Sequence, residues 1–365
     1  MKILIITNNT KPDSGWGRYS LGVINALKKR PGCDVTVLDE DGSGRTTRLL
    51  PAISVGNVLR NIMMVRRIAR EYEIVHCLDC WPYGVYGMFG TICSKRKLFI
   101  NGVGTYSVIE SIYSLKGLLM WLSYKAANGV FCISDYTKKR ILAGVRIKNI
   151  QTVHMGLDLL PVLSAEESSV FMSKFDIDKM SPIVLTVGAI KARKGQLHTL
   201  KAIHALKSEY PKILYIMVGS TSEAGYIEAV KRYIEENDLD DNVMILSDIK
   251  TDKELSFFYN ICDVFALNSN NDGVHFEGFG LAILEANQFG KLAVGSRECG
   301  IEDAIAEGVN GFLSDQNDVK DISEKIKLAI ASVVDKRMII DRCKSFDWEM
   351  TVSAYLSYYT AVDHG

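Results

Sequence analysis

The sequence is short of one-sided charge. Its 43 basic side chains are matched by 43 acidic ones, a formal net charge of zero. That removes any whole-molecule electrostatic case for nucleic acid as a partner. Long hydrophobic runs are missing as well. No stretch reaches the ~18 apolar residues a spanning helix needs; the nearest, LKGLLMWLSYKAA, is bracketed by Lys116 and Lys125. The opening MKILIITNNT lacks the basic flank, long apolar region and cleavage site of a secretory signal. A cytoplasmic protein is therefore expected, with at most peripheral attachment at the inner membrane surface. Zinc spacing is absent too: the C-x-x-C at Cys77 and Cys80 has no second pair at the right distance. The eight cysteines are scattered, several in apolar strand-like runs such as GVFCIS and YNICDVFAL. They read as reduced core residues, and no metal site is expected.

What is present is length and alternation. At 365 residues the chain is too long for one ordinary core, and two domains of roughly 150 to 200 residues are expected. Short apolar strands alternate with longer mixed helices: KILIIT, then GRYSLGVINALKKR, then DVTVLD, and so on through EIVHCLD, KLFING and GVFCIS. Strand, helix and strand in this order argue for a parallel sheet covered by helices on both faces. The polar, serine-rich run before Pro182 reads as a boundary, after which IVLTVG restarts a second series. The expected organisation is α/β, with Rossmann-like domains over 1–165 and 166–345 and a terminal helix over 346–365. Two such domains imply a cleft, where ligands collect.

Three stretches carry candidate chemistry. In DSGWGRYSLGV, Gly15 and Gly17 follow the first strand and open a helix, so they are either a simple turn or a close approach to an anion. In TVGAIKARKGQ, Gly188 ends a strand, and Lys191, Arg193 and Lys194 then precede a helix. Cations gathered where a parallel strand delivers the chain to a helix N-terminus suit a diphosphate; a solvated basic loop is the plain alternative. In VHFEGFGLAILEA, Glu277 and Glu285 flank a turn of Gly278, Phe279 and Gly280. Glu277 stands before the helix and Glu285 two turns inside it, positions from which they can meet the reacting end and the hydroxyls of a ligand. Paired carboxylates also serve glycoside hydrolases, and two solvent-facing acids remain the plain reading. His275, beside Glu277, and His76, at a strand end, are candidate contacts to hydroxyls or phosphate.

These stretches, taken together, resemble the family 4 retaining glycosyltransferases of the two-domain GT-B fold. The resemblance runs over almost the whole chain, through DSGWGRYSLGVINAL, VHMGLD, VGAIKARKG, DGVHFEGFGLAILEANQFGKLAVGS, EGVNGFL and FDWEMTVSAYLSYY. Its form is closest to mannosyl and rhamnosyl transferases. It implies transfer of a sugar from a nucleoside diphosphate sugar to a glycan or lipid-linked acceptor, with retention and with no cofactor. Carried over by position, Glu277 would lie by the transferred sugar, Glu285 would take the ribose hydroxyls and Lys194 the diphosphate. Gly188, Lys191 and Arg193 would line the same loop, and the amides of Gly280 and Leu281 would approach the donor. His275, Gly278 and Phe279 would contact the sugar, and Gly15 and Gly17 the phosphate or acceptor side.

The sequence departs from the family at two positions. Ala189 stands where an Arg is usual, with Lys191 or Arg193 able to supply the charge, and Val103 stands near a usual histidine. Rival expectations are a nucleotide-sugar epimerase of the same layout and a non-catalytic glycan-binding protein. In NVLRNIMMVRRIARE, Val58, Ile62, Val65 and Ala69 fall at helical spacing beside Arg60, Arg66, Arg67 and Arg70. In YSLKGLLMWLSYK, Tyr113, Leu118, Leu119 and Trp121 sit beside Lys116 and Lys125. Such stripes either pack on the sheet or give weak contact with an anionic bilayer.

Overall fold

The computed structural model describes residues 1–12, 14–42, 48–175, 177, 179–221, 223–249 and 251–361. The chain forms two compact units: Met1–Gly156 with the stretch from Phe346 onward, and Leu157–Ser345. The division comes earlier than 165/166, for a local reason. Gln288 clasps the backbone of Leu160, accepting from its N–H (2.9 Å) and donating to its carbonyl (2.7 Å), so this stretch already belongs to the second unit. Nor is the serine-rich run a linker. Ser164 and Glu167 cap each other's backbone N–H at 2.9 and 3.1 Å and start the helix Ala165–Phe175. Phe171 and Phe175 then lie against Phe257 and Phe258.

The first unit holds β1 (Lys2–Ile6), β2 (Asp34–Leu38), β3 (Ile74–Cys77), β4 (Lys97–Gly102), β5 (Gly129–Cys132) and β6 (Ile150–Thr152). They form one parallel sheet in the order β2-β1-β3-β4-β5-β6. The second unit holds β7 (Ile183–Val187), β8 (Leu214–Val218), β9 (Val243–Leu246), β10 (Val264–Leu267), β11 (Leu292–Ser296) and β12 (Gly311–Ser314). Their order is β12-β11-β10-β7-β8-β9, again all parallel. Renumbered within its unit this is the 3-2-1-4-5-6 order of a dinucleotide-binding sheet, whereas the first unit follows the 2-1-3-4-5 order of flavodoxin with one strand added. Strand order reverses its progress between β1 and β3, and between β7 and β10. Ligands of open α/β sheets bind at such points, off the carboxyl ends of the strands.

Continuous apolar strands such as LYIMV, buried throughout, are what a sheet covered on both faces demands. Four helices of the first unit begin at a serine whose hydroxyl accepts a first-turn N–H: Ser14, Ser54, Ser114 and Ser134. On the helix Val55–Ile68, Val65 is buried and Val58 and Ile62 pack against the core, with Ala69 buried just beyond its end. A second apolar row, Val55, Leu59 and Met63, faces outward beside exposed Arg60, Arg66 and Arg67. No helix among the described residues is long and apolar enough to cross a membrane.

The helix Trp348–Ala361 lies on the first unit. Gly22 leaves room for the Trp348 ring, which a Cβ there would meet at 2.1 Å. His76 is fully buried: Nδ1 pairs with the Tyr359 hydroxyl at 2.5 Å and Nε2 with Asn101 Oδ1 at 2.7 Å. Asn101 in turn donates to Tyr19 and Tyr355. His76 is thus a clamp for the terminal helix, and this corrects the expectation that it meets a ligand. Burial holds its imidazole neutral, down at about 4, against the opposing effect of Asn101.

Candidate active site

The second unit concentrates charge at its own switch point. After β7 the chain reaches Gly188 at φ +142°, a conformation that suits glycine. It then forms the turn Ala192–Lys194, which brings three cations into seven residues of loop. Gly195, at φ +71°, ends that turn and begins the helix Gln196–Leu206. No side chain could replace it, because a Cβ there would lie 1.8 Å from the Asn268 carbonyl oxygen. Asn270 N–H donates to the Arg193 carbonyl at 2.8 Å, so the loop after β7 is stitched to the loop after β10.

That stitching delivers Glu277 to the cations. Its Oε2 accepts from Lys194 Nζ at 2.6 Å, Arg193 Nη1 at 3.1 Å and Ser269 Oγ at 3.3 Å. Oε1 has no protein partner among the described residues, and the side chain is 13 % exposed. Burial pushes this carboxyl upward, but the Lys194 ammonium and Arg193 guanidinium outweigh it and hold it at about 2. Glu277 is therefore an anion at any ordinary pH. Burial, with the neighbouring Arg193 and Lys194 charges, pulls Lys191 below the usual lysine range. The Ala189 carbonyl accepts from Gln196 Nε2 at 3.0 Å. The charge of this loop comes from Lys191, Arg193 and Lys194, beyond Ile190.

Gly280, at φ +89°, starts the helix Leu281–Gln288 and offers no capping side chain. The helix after β7 likewise starts at a glycine with no cap. The contrast with the serine-capped helices of the first unit is physical: a glycine N-cap leaves first-turn N–H groups open to an anion, although on the helix Gln196–Leu206 the Leu197 N–H is taken by the Tyr226 hydroxyl at 2.8 Å. The turn of Gly278 and Phe279 is fixed by Gly300, whose N–H donates to the Glu277 carbonyl at 2.8 Å. A Cβ on Gly300 would sit 1.9 Å from the Gly278 carbonyl oxygen. Phe279 is buried and His275 is exposed on a small turn that it closes with Asp272. Glu285 is 6 % exposed and accepts the Tyr259 hydroxyl at 2.6 Å.

The first unit treats its glycine pair differently. Ser14 Oγ already occupies the Gly17 N–H at 3.0 Å, and a Cβ on Gly17 would lie 1.8 Å from the Lys11 carbonyl oxygen. Gly17 serves close packing of the chain, whereas Gly15 faces open space. The rim is instead laced by side chains: Asn8, after β1, donates to the Tyr83 hydroxyl at 2.8 Å, and Tyr83 donates to Glu40, after β2, at 2.8 Å.

Residues 168–343 match the family model described as glycosyl transferases group 1. The matched residues fall within the second unit and take in most of it. Among curated relatives, the D-inositol 3-phosphate glycosyltransferase of Mycolicibacterium smegmatis is 27 % identical over 219 residues, 58 % of this chain and 47 % of that protein. The serotype-specific mannosyltransferase WbdA of Escherichia coli is 24 % identical over 274 residues, 73 % of this chain and 30 % of that protein. The match thus spans less than half the length of either relative. A glycosyltransferase from Rickettsia africae superposes with a TM-score of 0.81 at 19 % identity, covering 100 % of this chain and 99 % of that one. HepE of Anabaena, solved with UDP and glucose, gives 0.75 at 20 % identity over 98 % and 99 %. These likenesses establish the fold, which is GT-B.

Within the second unit the structure brings Lys194, Arg193 and Glu277 together and leaves Glu285 deeper, on Tyr259. Sequence reasoning missed Ser269, Asn268 and Tyr259. Asn268, 1 % exposed, donates to Thr199 at 2.9 Å and accepts from Ser314 at 3.1 Å, which fixes the end of β10. Nothing in the local pattern of LNSNND distinguishes it from an ordinary polar loop.

Proposed function

We propose that the protein transfers a sugar from a nucleoside diphosphate sugar to a glycan or lipid-linked acceptor, with retention at the anomeric carbon. The observation that carries this reading is the cluster of Lys194, Arg193 and Glu277 at the β7/β10 switch point, between two helices that each begin at a glycine with no capping side chain. Lys194 and Arg193 take the diphosphate, with Lys191 adding charge from the same loop. As phosphate oxygens arrive, the two cations are shared between the ligand and Glu277, and they stabilise the charge that grows on the leaving group. That stabilisation comes from fixed cations and helix amides, so the reaction needs no further cofactor. Oε1 of Glu277, an anion without a protein partner, faces the transferred sugar as positive character develops there. Glu285, held by Tyr259, takes the ribose hydroxyls. His275 and Gly278 line the sugar, with the Phe279 side chain buried in the turn rather than in contact with it, and the amides of Gly280 and Leu281 approach the donor.

The first unit takes the acceptor, through the rim that includes Gly15. The outward row Val55, Leu59 and Met63 with its arginines gives weak peripheral contact with an anionic bilayer, which suits a lipid-linked acceptor. The test is product stereochemistry. With UDP-glucose and GDP-mannose as donors and a panel of alkyl glycosides as acceptors, NMR should show the donor's α configuration kept in the product. An inverted linkage, or a donor consumed without acceptor to give a free 2-epimer, contradicts the proposal.

A further inference from the structure

Asp79 is a buried acid that the donor chemistry leaves unused. It follows the carboxyl end of β3, beside the β1/β3 switch point of the first unit, and is 0 % exposed. Its Oδ1 takes two donors, the Cys80 N–H at 2.6 Å and the Ser107 hydroxyl. Its Oδ2 is buried without a partner. Ser107 lies beyond β4, also 0 % exposed, and its Oγ accepts the Val103 N–H at 2.9 Å while its carbonyl accepts the Tyr124 hydroxyl at 2.6 Å. The chain from Val103 to Ser107 is thus tied to the end of β3 through one carboxyl group. Within it, Gly104 is buried at φ +152° with nothing in the position a Cβ would take, and its carbonyl accepts the Ser107 N–H at 2.9 Å.

We propose that Asp79 is a positioning residue for the transfer reaction, a latch that fixes the Val103–Ser107 loop at the carboxyl end of β4 so that acceptor meets an ordered surface. This rests on the reading that the first unit takes the acceptor. The latch holds in the neutral form of the acid. An ionised carboxylate would place a charge in a site where one oxygen has no donor, and such burial is costly. Burial accordingly pushes the carboxyl up to about 8, against the opposing pull of the Ser107 and Cys80 hydrogen bonds and the Lys116 charge. The other titratable groups facing it are Cys80 and Tyr83 on its own turn, Tyr19 from the helix Gly15–Lys29, and Tyr124 from the helix Leu115–Ala126. Burial raises all four, so they stay neutral while Asp79 titrates. Ionisation then adds an unpaired buried charge, which loosens the loop.

The test reads the loop and the reaction separately. In hydrogen–deuterium exchange of the full chain, the Val103–Ser107 amides of the wild type should lose protection by roughly tenfold between about pH 7 and pH 9.5, beyond the intrinsic change of rate. Asp79→Asn keeps shape and neutrality, so it should retain most of that protection at neutral pH and show no such loss. Asp79→Ala should lose it at every pH. In turnover with the same donors and alkyl glycosides, Asp79→Ala should raise the acceptor KM by at least about tenfold, with UDP affinity in calorimetry unchanged within about twofold. A wild-type profile retained in Asp79→Asn, or full protection in Asp79→Ala, overturns the latch. Normal exchange behaviour with no binding of UDP, GDP, ADP or dTDP by the wild type would instead refute the transferase reading and leave the latch standing.

Discussion

Glu277 is the residue on which donor site and chemistry meet. Three donors share its Oε2, so its charge is fixed in place before any ligand arrives. Replacing it with Gln removes the charge but keeps the size. In Glu277→Gln, kcat should fall by roughly tenfold to a thousandfold while nucleotide affinity is not weakened, since Gln competes less for Lys194. Steady-state kinetics beside calorimetry would check this; a matching loss in binding would show the role to be misassigned. Lys194→Ala should do the reverse, weakening UDP by about tenfold to a hundredfold, because it removes one side of a charge-assisted contact. The charge pattern of this site was legible in the sequence, as cations before a helix and an acid before Gly-Phe-Gly. That the acid and the cations touch was not, because 83 residues separate Lys194 from Glu277 and only the strand order closes that distance.

The terminal helix and the helix Val55–Ile68 test the account one level up. His76 ties the terminal helix to the sheet through Tyr359, in a neutral form that the folded chain keeps down to about 4. The unfolded chain takes up that proton near 6.5. Stability from this site is complete above that value and falls as pH drops toward 4, by up to roughly 3 kcal/mol. Urea midpoints at about pH 7 and pH 5 should therefore differ in the wild type and converge in His76→Gln; an equal pH response in both would contradict the clamp. For the outer helix, sequence periodicity gave the inward row Val58, Ile62, Val65 and Ala69 correctly, because core packing has a period. The outward row Val55, Leu59 and Met63 was hidden behind it, since apolar residues at the same spacing can face either way. Anionic vesicles should sediment the protein at low salt and release it at high salt, and Leu59→Ser with Met63→Ser should reduce binding. No sedimentation even at low salt would leave the arginines merely solvated.

At the scale of the whole chain, alternating strand and helix patterns were enough to give two parallel α/β units, while the GT-B resemblance rested on motifs such as VGAIKARKG and HFEGFGLAILEA. They could not give strand order, because every strand is a short apolar run and parallel pairing leaves no local mark. Yet strand order decides where a ligand binds, and it puts the β7/β10 switch point at the loops that carry Lys194 and Glu277. The central claim is therefore that the second unit binds a nucleoside diphosphate through the loop after β7. The most direct measurement is titration calorimetry of the full chain against UDP, GDP, ADP and dTDP, repeated with Lys194→Ala. The account predicts saturable binding of at least one of the four, weakened by about tenfold or more in the variant. Absence of binding by all four at about millimolar concentration, or a variant that binds as tightly as the wild type, would contradict it.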